Sequence, residues 1–145
     1  MVPERKTTTF FYVDDDSDDL SFFQEAVDEI GKTVTLFELG DDMLFSLKNQ
    51  PPMPSVVFLD LNMPIKNGFE ILQEVRASES FKDIPIVVYS TSNGIDTIVK
   101  CFELGANLFI TKAISIAGLK KAILHVAEID WDNFKPDLKS FVYKV

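Results

Sequence analysis

Four short apolar stretches of this chain each run into a polar residue of a type that a combined metal and phosphate site uses. Phe10-Phe11-Tyr12-Val13 leads into Asp14-Asp15-Asp16, and Val56-Val57-Phe58-Leu59 into Asp60. Ile86-Val87-Val88-Tyr89 leads into Ser90, and Leu108-Phe109-Ile110-Thr111 into Lys112. If these are parallel strands of one sheet, their carboxyl ends gather three acids, a hydroxyl and an ammonium. Two carboxylates ~4 Å apart at an effective dielectric near ~20 repel by about 4 kcal/mol, so such a cluster requires a cation. Oxygen ligands of high charge favour Mg2+ or Mn2+, and Mg2+ retains waters and takes a phosphate oxygen readily. With its charge offset, Asp60 can serve as a carboxylate nucleophile toward phosphorus. Lys112 would add a second positive charge and Ser90 a hydroxyl donor, which is most of what phosphoryl transfer asks of a protein.

The elements that must position these residues follow from hydrophobic periodicity. After the first strand, Leu20, Phe23, Val27 and Ile30 recur at helical spacing, with Ser17, Asp18 and Asp19 as cap or first-turn acids and Gly31 as the stop. Thr33 to Leu39 alternates as a second strand. Asp41 or Asp42 can cap a short helix through Met43, Leu44 and Leu47, which Pro51, Pro52 and Pro54 close. Asn62 to Gly68 reads as a loop, followed by a helix using Phe69, Leu72 and Val75; Pro85 opens the fourth strand. Residues 94–104 predict a fourth helix ended at Leu104-Gly105, where glycine supplies left-handed geometry. Asn107 to Thr111 is a fifth strand, and Ile116, Leu119, Ile123 and Val126 mark the helix after it.

Strict alternation of strand and helix implies right-handed crossovers and an α/β fold, an open five-stranded parallel sheet with helices on both faces. For strand order 2-1-3-4-5, ligands bind where the order reverses, outside the carboxyl ends of the first and third strands. Asp14, Asp15 and Asp60 leave those two strands.

The bulk properties restrict the partners. At 145 residues and 46% hydrophobic content, including 13 Phe, one domain with a substantial core is expected. A net charge of -9 argues against nucleic acid or an anionic membrane surface. Cys101, the only cysteine, has no partner for an internal disulfide, and the polar Met1 to Thr9 stretch lacks the apolar core of a signal peptide. A cytoplasmic protein without membrane insertion is expected. His125, the only histidine, reads as a surface residue of the last helix, and Cys101 as packing.

The motifs resemble the receiver domain of two-component response regulators over residues 8 to 128. Tyr12 to Asp16 is similar to the acidic-pair motif and Phe58 to Gly68 to the phospho-acceptor loop. Ser90 is similar to the switch hydroxyl and Lys112 to the family's lysine. The resemblance implies a flavodoxin-like fold with Asp60 as phospho-acceptor. It implies direct Mg2+ ligation by Asp15 and Asp60, ligation by Asn62 through its backbone carbonyl and by Asp14 through water, and a switching role for Ser90 and Phe109. It also implies a histidine kinase or phosphotransfer protein as donor and an output protein the sequence does not name. One departure stands out: Ala113 follows Lys112 where the family usually has a proline in a cis bond.

Taken singly, each motif has a plainer role: acids at a helix start, a turn residue, a solvated lysine. Their coincidence at one sheet edge favours the shared site. A Mg2+-dependent phosphatase working through an aspartyl-phosphate is a rival reading, but Asn62 stands where it would need a second acid. A receiver that never takes phosphate, acting as a binding module, is another, and the intact acid set argues against it. The expectation is thus a stand-alone receiver, not an enzyme, signalling by protein contact. Residues 1–128 would form the receiver. Residues 129–145 would be an extension packed on or beside it, with Trp131, Phe134, Leu138, Phe141, Val142 and Val145 at helix-like spacing and Pro136 opening a short final helix. Self-association into a homodimer through that extension is a further expectation.

Overall fold

The computed structural model describes residues 9–49 and 54–144. Pro51 and Pro52, expected to close the second helix, and the polar residues before Thr9 lie outside them. The elements are β1 (Thr9–Val13), α1 (Ser17–Glu29), β2 (Thr33–Phe37), α2 (Gly40–Asn49), β3 (Val56–Leu59) and α3 (Gly68–Ala77). There follow β4 (Ile86–Ser90), α4 (Ile95–Glu103), β5 (Leu108–Thr111), α5 (Ile116–Glu128) and β6 (Val142–Tyr143). All pairings are parallel and the sheet order is β2-β1-β3-β4-β5-β6. The expected five-strand order is present, with a sixth strand added beyond β5.

The strands sort their side chains by parity, as a pleated ribbon must. Phe11 and Val13 of β1 enter one core with Met43, Leu59, Ile71, Val88 and Phe109; Phe10 and Tyr12 enter the other with Phe23, Phe58, Tyr89, Ile110 and Ile123. Phe23 of α1 packs at 4.5 Å from the Tyr12 ring and 4.9 Å from that of Phe58. Burial of one such ring contributes about 1.5–3 kcal/mol, which fixes α1 over β1 and β3.

Helix starts follow local chemistry. Asp16 is the N-cap of α1, its Oδ1 accepting the Asp18 N–H at 2.9 Å and the Asp19 N–H at 3.2 Å. Ser17, Asp18 and Asp19 therefore fall inside the first turn, where acids oppose the helix dipole. Asp41 and Asp42 likewise lie in the first turn of α2, after Gly40. Asn67 and Glu70 form a capping box at α3.

The final helix expected from Pro136 onward is not what forms. Turns occupy 131–133 and 138–140, and Val142–Tyr143 pairs with β5. Two effects override the helical spacing. Asp137 engages Ser140 locally, Oδ1 accepting its N–H at 2.8 Å, which favours a turn. The outer edge of β5 would otherwise present unpaired backbone groups, and the Phe109 N–H donates to Phe141 O at 2.9 Å. Phe141 is fully buried, 5.4 Å from the Phe102 ring of α4 and 6.4 Å from that of Phe109. His125 of α5 stacks on Tyr143 at 4.2 Å. Cys101 is buried in the core, and burial pushes its thiol up to about 11.

Candidate functional site

Backbone pairing brings the ends of β1 and β3 side by side. The Asp60 N–H donates to Val13 O at 3.1 Å and the Asp14 N–H to Phe37 O at 3.0 Å, so each acid leaves its strand held by a neighbour. Carboxylate oxygens of Asp14, Asp15 and Asp60 lie within 4.8 Å of one another, Asp14 and Asp60 buried and Asp15 exposed. Lys112, one residue past β5, reaches across to them: Nζ is 2.7 Å from Asp14 Oδ2 and 3.6 Å from Asp60 Oδ1. The three acids thus lie together at the ends of β1 and β3, where the strand order reverses.

Gly68 accounts for how closely the loop after β3 folds back. A Cβ there would sit 2.4 Å from Asp60 O and 2.8 Å from the Leu61 Cα, so a side chain would displace the backbone that carries Asp60. Ile65, in the same loop, holds a φ of 69°, unusual for a β-branched residue. Asn62 Nδ2 donates to Ser92 Oγ at 2.7 Å, tying this loop to the one after β4. Ser90 is buried; its Oγ accepts the Ser92 N–H at 3.2 Å and its carbonyl accepts the Lys112 N–H at 3.0 Å. Phe109 is buried on the α4 side of the sheet and contributes to the core rather than to the acid cluster.

The electrostatics show a pocket short of positive charge. Burial, then the neighbouring Asp14 charge, pushes the Asp60 carboxyl up to about 7, with Lys112 opposing. Burial works against the Lys112 charge, but the hydrogen bonds it donates to Asp14 and Asp19 outweigh that and hold it above the ordinary lysine range. Lys112 therefore stays charged and is not enough to ionise Asp60 fully at neutral pH. A hard divalent cation among these oxygens would supply what is missing, so the donor set fits Mg2+ or Mn2+.

Three contributors escaped the sequence reading. Tyr12 donates its hydroxyl to Asp14 Oδ2 from beneath, and burial holds that phenol far above its usual range. Asp19 pairs with Lys112 Nζ at 2.7 Å. Tyr89 accepts the Ala113 N–H at 3.1 Å. The available signal was a tyrosine in each of two otherwise apolar strands, since a buried phenol needs a partner.

Comparison with known proteins agrees with this geometry. The family model described as response regulator receiver domain matches residues 10–124. Response regulator Rcp1 of Synechocystis sp. is 38% identical over 72 residues, covering 50% of this chain and 49% of that protein. Two-component response regulator ORR4 of Oryza sativa subsp. indica is 32% identical over 114 residues, covering 73% and 49%. The chain spans about half the length of the curated relatives it matches. Among solved structures, the Mn2+-bound form of Rcp1 aligns with TM-score 0.72 at 26% identity, covering 90% of this chain and 99% of that one. The phosphorylated cyanobacterial phytochrome response regulator RcpA aligns with TM-score 0.76 at 28% identity, covering 90% and 98%. With acid cluster, lysine and sheet order in agreement, the chain belongs to the response regulator receiver domain family.

Proposed function

We propose that this chain accepts a phosphoryl group on Asp60 from a histidine kinase or phosphotransfer protein and signals by protein contact. The observation that carries the reading is the buried Asp60 facing Asp14, Asp15 and Lys112 where the strand order reverses. In the transfer, an Asp60 carboxylate oxygen forms the bond to phosphorus, the bond from phosphorus to the donor histidine nitrogen breaks, and its electron pair stays on the imidazole. Asp15 and Asp60, the Asn62 carbonyl, and Asp14 through water would hold Mg2+, which when bound neutralises charge on the acids and the phosphoryl oxygens. Lys112 supplies a fixed positive charge beside Asp60, and Ser90 a hydroxyl for another phosphoryl oxygen. Phe109 then responds to the movement of Ser90 as a packing readout.

The chain is a phospho-acceptor rather than a turnover enzyme, since Asn62 provides no second acid for a leaving group. Residues 1–128 serve as the receiver, and 129–145 as an extension that tunes association, including with a second copy. No helix among the described residues is long and apolar enough to cross a membrane, and a cytoplasmic site of action fits the kinase partnership. Incubation with acetyl phosphate and Mg2+ should place an acid-labile phosphate on Asp60 by mass spectrometry, and Asp60→Asn should abolish it. Label on any other residue overturns the assignment.

A further inference from the structure

Lys112 sits one residue past the end of β5, and its own amide, bonded to Ser90 O at 3.0 Å, is the last held by a neighbouring strand. Two side chains take over from there. The next amide, of Ala113, donates to Tyr89 Oη at 3.1 Å. That phenol is almost fully buried on β4, its ring lodged 5.8 Å from Tyr12 and 6.1 Å from Phe23, so its hydroxyl is a fixed acceptor beneath the turn. At the far end of the side chain, Nζ lies 2.7 Å from both Asp14 Oδ2 and Asp19 Oδ2 but 3.6 Å from Asp60 Oδ1.

A lysine is a point charge on a flexible four-carbon stem, and its direction must come from its partners. Asp19, delivered by the first turn of α1, pulls the ammonium away from Asp60. With Asp14 as its only other close partner among the described residues, the ammonium would close on Asp60 and occupy the oxygen that has to reach phosphorus. The stand-off at 3.6 Å leaves that oxygen free while keeping the charge near enough to meet an incoming phosphoryl group.

Resting on the phospho-acceptor reading above, we propose that Tyr89 and Asp19 are positioning residues that together aim Lys112 at the phosphoryl site, Tyr89 by fixing the peptide after it and Asp19 by counterbalancing Asp60. Neither touches the reacting atoms; both act through Lys112.

The test uses the full chain with beryllofluoride as the phosphoryl mimic and Mg2+ alone as the control. Tyr89→Phe keeps the ring and removes only the acceptor. It should weaken beryllofluoride binding ~3- to 10-fold, the range one hydrogen bond supports, while Mg2+ affinity stays within about twofold. Asp19→Asn should weaken it similarly, and Asp19→Glu should restore most of the loss. In a Lys112→Ala background both substitutions should have no further effect, because the residue they act through is gone. If that background binds no beryllofluoride, the rate of acetyl phosphate labelling replaces affinity. Wild-type protein that binds beryllofluoride while both variants match it overturns the positioning roles, as do losses that persist without Lys112. A wild type that binds no beryllofluoride at all overturns the phospho-acceptor reading as well.

Discussion

Asp60→Asn should stabilise the metal-free protein at pH 8 and lose most of that advantage at pH 5. The Asp60 carboxyl is held at about 7 against an ordinary 3.8, chiefly by burial and secondarily by the Asp14 charge. A pKa raised on folding means that the proton favours the folded state. Folding is least penalised below pH 3.8, the penalty grows as pH rises toward 7, and it is complete above that. At ~1.4 kcal/mol per pH unit the full penalty is ~4 kcal/mol. The ~4 kcal/mol already includes the opposing attraction to Lys112 Nζ at 3.6 Å. Asparagine keeps the size and an acceptor oxygen of the protonated acid, and solvent screening at the pocket mouth beside the exposed Asp15 reduces the gain at pH 8 to about 2 kcal/mol. For a chain of this size that corresponds to roughly 6 °C in Tm. Between pH 8 and pH 5 the advantage should fall by more than half, to below ~1 kcal/mol, since at pH 5 folded Asp60 carries its proton while the unfolded acid, at 3.8, is still largely ionised. Urea or thermal unfolding in EDTA at both pH values measures this directly. Saturating Mg2+ should reverse the order by stabilising the protein that retains the Asp60 carboxylate more than the variant, which keeps only the remaining ligands. Equal shifts at the two pH values, or a less stable variant at pH 8, would refute the charge-repulsion account.

Other outcomes follow from the same geometry. Asp15→Asn should weaken Mg2+ binding without destabilising the fold, because Asp15 is exposed; calorimetric titration with Mg2+ checks it. Ser90→Ala should leave phosphorylation largely intact but flatten the NMR shifts around Phe109 on adding beryllofluoride; shifts equal to wild type would disprove the coupling. Phe141→Ala empties a fully buried site between Phe102 and Phe109 and should cost about 3–5 kcal/mol by urea unfolding. Deleting residues 130–145 should alter association state, followed by light scattering, differently with and without beryllofluoride. A truncated protein that is merely less stable would leave the extension a purely structural part.

The sequence carried the acid site because each strand end is a local event. An apolar run that stops at a polar residue marks both the strand and the group it delivers, and the crossover rule does the rest. Asp14, Asp15, Asp60 and Lys112 were legible for that reason. Tyr12, Asp19 and Tyr89 were not, because their roles depend on which way a side chain turns. Asp19 is a first-turn acid of α1, as its position suggested, yet the same carboxylate meets a lysine that lies 93 residues away in sequence. The tail misled in the other direction. Trp131, Phe134, Leu138 and Phe141 do fit a helical period, but which structure forms there depends on the open edge of β5, and that edge exists only once the sheet is assembled.

That sixth strand gives the molecule a built-in reporter. The Phe109 amide has its hydrogen-bond partner in the tail, at Phe141 O, while Phe109 is itself one of the two residues of the proposed switch. Deuterium exchange at this single amide therefore times the lifting of the tail from the sheet, with no label attached. A comparison of its rate in metal-free and beryllofluoride-loaded protein would show whether occupancy of the acid pocket is felt at the opposite margin of the sheet.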